Sequence, residues 1–209
     1  MSRGSFKLIL LALLTLAAID VVLSRGKAVP PGSYVDDRGG FSLVPPEGWH
    51  ALAAERFREA ADINPALAAS LADRQLALVL IGPGTVGQGA SSVQVAVVPG
   101  DSPGLSERDP QALARPIEAE IEKTFGPFTR DSARRRNVDG LAALELSGLL
   151  ETRAGGRQFR VRLIQVLVPG DRRHYLLTFL GSPARESSDV PAFQAVLSSF
   201  RVLRRPSVF

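Results

Sequence analysis

The sequence predicts an α+β fold, with an antiparallel sheet of about six strands flanked by helices. Three observations predict it. Helical patterns fall near the start, middle and end of the 209 residues. Apolar β runs lie between them, and the second half reads as a meander whose strands are joined by Asp139-Gly140, Ala154-Gly155-Gly156 and Pro169-Gly170-Asp171. Turn chemistry of that kind makes hairpins, and hairpins make antiparallel sheets.

The first element is membrane-directed. Arg3 and Lys7 precede an apolar run from Leu8 to Ile19 that only Thr15 interrupts. A basic start before ~7–15 apolar residues is the pattern of a signal peptide, whereas a spanning helix needs about 20. The longer run Phe6 to Leu23 contains Asp20, near its outer end, where a carboxylate reaches the headgroups. The small-residue site Gly26-Lys27-Ala28 is poor for cleavage, and the absence of Cys excludes a lipoprotein anchor. Residues 1–28 are therefore expected to be an uncleaved anchor, with a cleaved signal as the alternative and a buried core helix as the third reading. Arg3 and Lys7 would stay in the cytoplasm, although Arg25 and Lys27 oppose that orientation. The expectation is a bacterial inner-membrane protein with a single N-terminal span and an extracytoplasmic domain, or a secreted or periplasmic protein after cleavage.

Residues 29–40 carry Pro30-Pro31-Gly32 and Asp36-Asp37-Arg38-Gly39-Gly40 and read as linker and turn. The domain is assigned to 41–203 and a tail to 204–209. Phe41-Ser42-Leu43-Val44 alternates as a strand. Pro45-Pro46 stops it, because proline has no N–H for a ladder. Glu47-Gly48-Trp49 follows, with the single Trp of the chain. Asn64-Pro65 opens a helix to about Asp73, since proline is favoured at the first helical position. Gln75 to Ile81 is an apolar strand. Ser91 to Val98 alternates with Val93, Val95 and Val97 on one face. After the loop 99–110, Asp109-Pro110 opens a helix to about Phe125, with Leu113, Ile117 and Ile121 inside. Strands follow at Phe128–Val138, Leu141–Thr152, Gln158–Val168 and His174–Leu180. A last helix is expected from Val190 to about Ser199, capped by Ser188-Asp189, with Phe193, Val196, Leu197 and Phe200 buried.

The run Phe41 to Trp49 resembles the first strand of the PsbP-like and Mog-like superfamily. This group includes extrinsic photosystem PsbP proteins, DcrB and LpqN-type bacterial envelope proteins, and the Mog-type Ran-binding protein. His174 to Gly181, then Phe193 to Arg201, resembles its last strand and helix. The resemblance spans roughly residues 34 to 203. It implies an α/β/α sandwich, and a binding or accessory role without enzyme chemistry. It carries over no metal or partner-binding residue.

Chemistry is sparse. Gly82-Pro83-Gly84-Thr85-Val86-Gly87 matches GxGxxG after a strand, but a strand follows it where a dinucleotide site needs a helix N-terminus. It reads as a hairpin loop, and no Walker Lys follows. His50 and His174 are the only histidines and Cys is absent, too few ligands for zinc. No GxSxG elbow occurs. No catalytic residue, cofactor or metal is assigned.

The chain has 25 Lys+Arg against 21 Asp+Glu, but residues 1–28 hold four of the basic groups and one acid. The remainder carries 21 basic and 20 acidic side chains, which argues against a nucleic-acid partner. Lys123 is its only Lys, a composition that suggests a GC-rich bacterial genome. Arginines nonetheless cluster at 134–136, 153, 157, 160, 162, 172 and 173. If Asp139-Gly140 and Gly155-Gly156 are two-residue loops, Arg134 stands opposite Glu145 and Arg160 opposite Glu151, on one exposed sheet face. That ladder would leave Arg135, Arg157, Arg172 and Arg173 for contact with an anionic partner.

The function expected is a membrane-tethered, extracytoplasmic, non-enzymatic binding or assembly accessory protein of the bacterial envelope. The alternatives are an envelope hydrolase working through His50 or His174, and a pilin-like structural subunit. The latter lacks the early helical Glu such subunits use.

Overall fold

A computed structural model describes residues 32–53, 76–83, 90–100, 104–154 and 157–203. The expected anchor at 1–28, the helix at 65–73, most of the glycine-rich loop, the hairpin tip 155–156 and the tail 204–209 lie outside the described residues.

The strands are β1 (Tyr34–Asp36), β2 (Phe41–Leu43), β3 (His50–Ala53), β4 (Leu76–Ile81), β5 (Ser92–Pro99), β6 (Phe128–Val138), β7 (Leu141–Ala154), β8 (Arg157–Pro169), β9 (Arg173–Gly181) and β10 (Arg201–Val202). The helices are α1 (Pro110–Phe125) and α2 (Glu186–Ser199). Seven strands form one antiparallel sheet in the order β3-β4-β5-β9-β8-β7-β6, and β1-β2-β10 form a separate three-stranded sheet. Three expectations change here. The main sheet has seven strands rather than about six, and Phe41–Leu43 belongs to the small sheet. Tyr34–Asp36, read from sequence as linker, is the strand β1 paired with β2.

After β5 the chain crosses by α1 to the far edge, β6, and then meanders back through β7 and β8 to β9 beside β5. Because side chains alternate along a strand, the two faces separate by parity. Ile164, Val166, Val168, Tyr175, Leu177 and Phe179 pack with Phe193, Val196, Leu197 and Phe200, so α2 and the small sheet cover one face. Leu146, Leu150, Leu163 and Leu180 pack with Ala114 and Ile121, so α1 covers the other. β4 pairs antiparallel with β5, with Ile81 opposite Ser92.

Aromatic rings fasten the small sheet to the large one. Phe41 stacks on Phe200 at 5.6 Å, and Tyr175 meets Phe200 edge-on at 5.4 Å. The Tyr175 hydroxyl reaches the carbonyl oxygens of Gly39 (3.2 Å) and Gly40 (2.9 Å). Gly40 sits at φ 71°, a left-handed turn that glycine adopts without steric cost. Trp49 follows a turn in which its N–H bonds to Pro46 O (3.0 Å), and its ring lies over Gly82.

Helix α1 is capped by Asp109, whose carboxylate accepts from the Gln111 N–H at 3.2 Å. Ala114 and Ile121 are buried and half-buried Ile117 packs with them, while Leu113, also half-buried, is not part of that cluster. Repeated steps of four rotate around a helix of 3.6 residues per turn, whereas three plus four stays on one face. Helix α2 begins four residues earlier than expected. Ser182 caps a 3-10 turn over Pro183–Arg185 that runs straight into it. Asp189 is consequently inside the helix and buried, not at its cap.

Candidate binding cleft and its ion-pair ladder

The site is built on the β6–β7 hairpin. Asp139 and Gly140 both have positive φ, 54° and 78°, the mark of a type I′ turn, and Val138 faces Leu141. That turn fixes the register, so Arg134 stands opposite Glu145. Along β7 and β8 the pairing continues with Glu151 opposite Arg160. Both cross-strand pairs expected from the sequence are present.

Their depths differ. Glu145 is 3% exposed, not part of an open surface ladder. Its Oε1 accepts from Nε (2.8 Å) and Nη2 (2.5 Å) of Arg134, and its Oε2 from Nη1 of Arg136 (2.7 Å). Two guanidiniums on one carboxylate satisfy its acceptors and make burial tolerable. The Glu151–Arg160 contact is looser at 3.7 Å, with both groups exposed. Between them, Ser132 and Ser147 hydroxyls meet at 3.0 Å. A bulge between Arg130 and Ser132 leaves Asp131 unpaired in the ladder, and its carboxylate bonds to Arg162 two strands away. Arg162 also donates to Glu186 at the start of α2 (2.9 Å). Burial works against the Arg162 charge, but the bonds and charges of Asp131 and Glu186 outweigh it and keep its pKa raised.

The four arginines reserved for a partner are not brought together. Arg135 lies on the α1 side, its Nη2 donating to Arg108 O at 2.9 Å. Arg173 is tied to the carbonyl oxygens of Arg38 (3.1 Å) and Gly39 (2.9 Å). Arg172 sits exposed in the β8–β9 turn at φ 53°. Arg157 starts β8, roughly 40 Å along that strand from the turn, and its side chain lies outside the described residues.

Where β6 turns into β7, a polar cleft of about 450 Å³ opens between the hairpin and the end of α2. Arg136, Asn137, Asp139, Leu197, Ser198 and Arg201 line it. Arg201 Nη1 donates to the carbonyl oxygens of Ser198 and Phe200, both at 2.8 Å, capping the helix end. Its Nε stands 3.6 Å from Asp139 Oδ1, and Asp139 Oδ2 accepts the Val202 N–H at 2.9 Å. Asn137 Oδ1 accepts the Gly140 N–H at 3.0 Å. Nothing in the sequence pattern marks these as site residues, because Arg201 and Asn137 meet only through the return of the chain.

A second charged group is closed. Asp189 accepts from Ser91 Oγ (2.5 Å), Ser188 Oγ (2.8 Å) and Arg185 Nε (3.0 Å) and Nη2 (3.2 Å). Burial pushes its pKa up, but these hydrogen bonds prevail and hold it below the usual range. Ser91 is wholly buried, so this Ser–Asp contact clamps α2 to the sheet and offers no nucleophile to a substrate. His50 lies on the edge strand β3 level with Leu180, and His174 is the second residue of β9. Strand spacing and rise put them roughly 25 Å apart. His174 is half-buried, and desolvation lowers its pKa. Among the described residues no group of three or more acidic or His side chains could hold a metal.

No protein-family profile matches the chain, and no curated protein matches it. Solved structures do. The solution structure of cyanobacterial PsbP (CyanoP) from Synechocystis sp. PCC 6803 aligns over 86% of this chain and 99% of its own, with a TM-score of 0.55 at 14% identity. The Saccharomyces cerevisiae Ran-binding protein Mog1p (84% and 97% covered, 13% identity) and Mycobacterium tuberculosis LpqN, involved in cell envelope biogenesis (89% and 96%, 11% identity), are less similar, with TM-scores of 0.49 and 0.48. The chain has a PsbP-like fold.

Proposed function

We propose that this protein is a non-enzymatic binding or accessory module of a bacterial envelope, tethered by its N-terminal segment with the PsbP-like domain outside the cytoplasm and engaging a protein partner. The observation that carries the reading is the state of the polar groups. Among the described residues Glu145, Asp131, Glu186 and Asp189 are engaged in ion pairs, Arg201 caps the end of α2, and a polar cleft opens beside that end, while the Ser91 hydroxyl that touches Asp189 is wholly buried. A hydrolase working through histidine would need His50 or His174 beside a positioned nucleophile, and the described geometry lends that alternative no support. The membrane part of the proposal rests on the apolar run Leu8 to Ile19; among the described residues no helix is long and apolar enough to cross a membrane.

The test is affinity capture of the tagged full chain from membranes in mild detergent. The proposal expects a discrete envelope protein to co-purify, and to do so equally with His50→Ala and His174→Ala variants that melt normally. Capture of no partner, together with a cellular function abolished by His174→Ala in a folded protein, would point to chemistry instead.

A further inference from the structure

We infer that the cleft between the β6–β7 turn and the end of α2 is a receptor for a carboxylate, supplied by an acidic segment of the protein partner. This rests on the binding-module reading above and names its contact site. The cleft's acceptors are already engaged: Asp139 by Val202 N–H and Arg201, Asn137 Oδ1 by Gly140 N–H, and the helix-end carbonyl of Ser198 by Arg201. What remains is donors. Arg136 commits Nη1 to Glu145, and Arg201 commits Nη1 and directs Nε at Asp139. Each guanidinium has five N–H groups, so donors on both, with the Asn137 amide, are left with no described acceptor.

Placement favours an ion over a neutral group. The Arg136 side chain is 22% exposed and its geometry is fixed from behind by buried Glu145, which spares the entropy of ordering it on binding. The Arg201 side chain, 53% exposed, stands at the mouth. Charge then selects among anions. The Asp139 carboxylate and the partial negative charge of the α2 C-terminus border the same space. Both repel a phosphate dianion about twice as strongly as a carboxylate. The volume, about 450 Å³, accommodates a short stretch of peptide rather than a lone ion.

The experiment is an NMR titration of the isotopically labelled full chain in detergent, following arginine Nε–H and backbone amide signals. The probes are acetylated tetraglutamate amide, its tetraglutamine counterpart and inorganic phosphate. Saturable shifts at Arg136, Arg201 and Gly140 with tetraglutamate, absent with tetraglutamine and weaker with phosphate, are expected. Asn137→Asp keeps the acceptor for Gly140 N–H but places a negative charge in the cleft. It should weaken tetraglutamate at least about tenfold with an unchanged melting temperature. No shift up to about 10 mM, shifts spread over all arginines, tighter binding of phosphate, or unchanged binding by Asn137→Asp would each overturn the assignment. If it fails while partner capture persists, the cleft inference falls and the binding-module reading stands.

Discussion

Arg134 and Glu145 face each other across the β6–β7 hairpin, with Nη2 2.5 Å from Oε1, yet one side chain is 63% exposed and the other 3%. The asymmetry decides what each contributes. Arg134→Ala removes an exposed donor while Arg136 still holds the carboxylate, so its cost is about 0.5–1 kcal/mol. Glu145→Ala strands two guanidiniums and empties a buried position, and should cost about 3 kcal/mol. Urea unfolding of both variants measures this. Equal effects would mean that Glu145 is solvated.

Asp189 gives a pH signature. Its pKa is depressed in the fold, so its stabilisation is complete above the unfolded value of about 3.8 and is lost as pH falls through the lower folded value. Asp189→Asn should be destabilised by about 2–3 kcal/mol at pH 7, since the Ser91 and Arg185 donors lose their ionic acceptor. Below pH 3.8 the gap to the parent protein should narrow. Melting temperatures from pH 7 to 2.5 test it, and a gap constant over that range would contradict the depressed pKa.

The hairpin register was legible from the sequence because Asp139-Gly140 favours a two-residue type I′ loop, and a turn fixes the pairs behind it. The strands β5 to β9 were legible from alternation and turn chemistry. What escaped has physical causes. Strands of two to four residues, such as β1, β3 and β10, carry too few side chains for a period. The start of α2 was misread because Ser188-Asp189 mimics a cap, while the operative signal, Ser182-Pro183, opens a 3-10 turn. The cleft escaped because its cations, Arg136 and Arg201, lie 65 positions apart and meet only through tertiary packing.

Trp49 and Phe200 carry the packing expected of the motifs that hold them. Phe200 is fully buried between Phe41 and Tyr175, so Phe200→Ala should cost about 4 kcal/mol. Trp49 is 9% exposed over Gly82, and Trp49→Ala should cost about 3 kcal/mol. A melting curve unmoved by Trp49→Ala would free this ring for a partner.

Gly148 tests the bulge from the other face. A Cβ there would run into the Thr129 carbonyl oxygen and come within 2.5 Å of the Phe128 ring. Gly148→Ala should therefore cost about 1–3 kcal/mol by overpacking beside α1, read by urea unfolding, and leave the cleft unaffected. A neutral substitution would mean that the β6 edge yields readily.

The central claim is that this protein works by holding a protein partner at the hairpin–α2 cleft. The most direct measurement is photocrosslinking in living cells, with a photoreactive amino acid at Ser198 in the cleft and, separately, at Arg115 on the α1 side. The account predicts one discrete protein adduct from Ser198, none from Arg115, and loss of the Ser198 adduct when Asn137→Asp is added. The same adduct from both positions, or none from Ser198 in a folded chain whose partner is still captured, would contradict it.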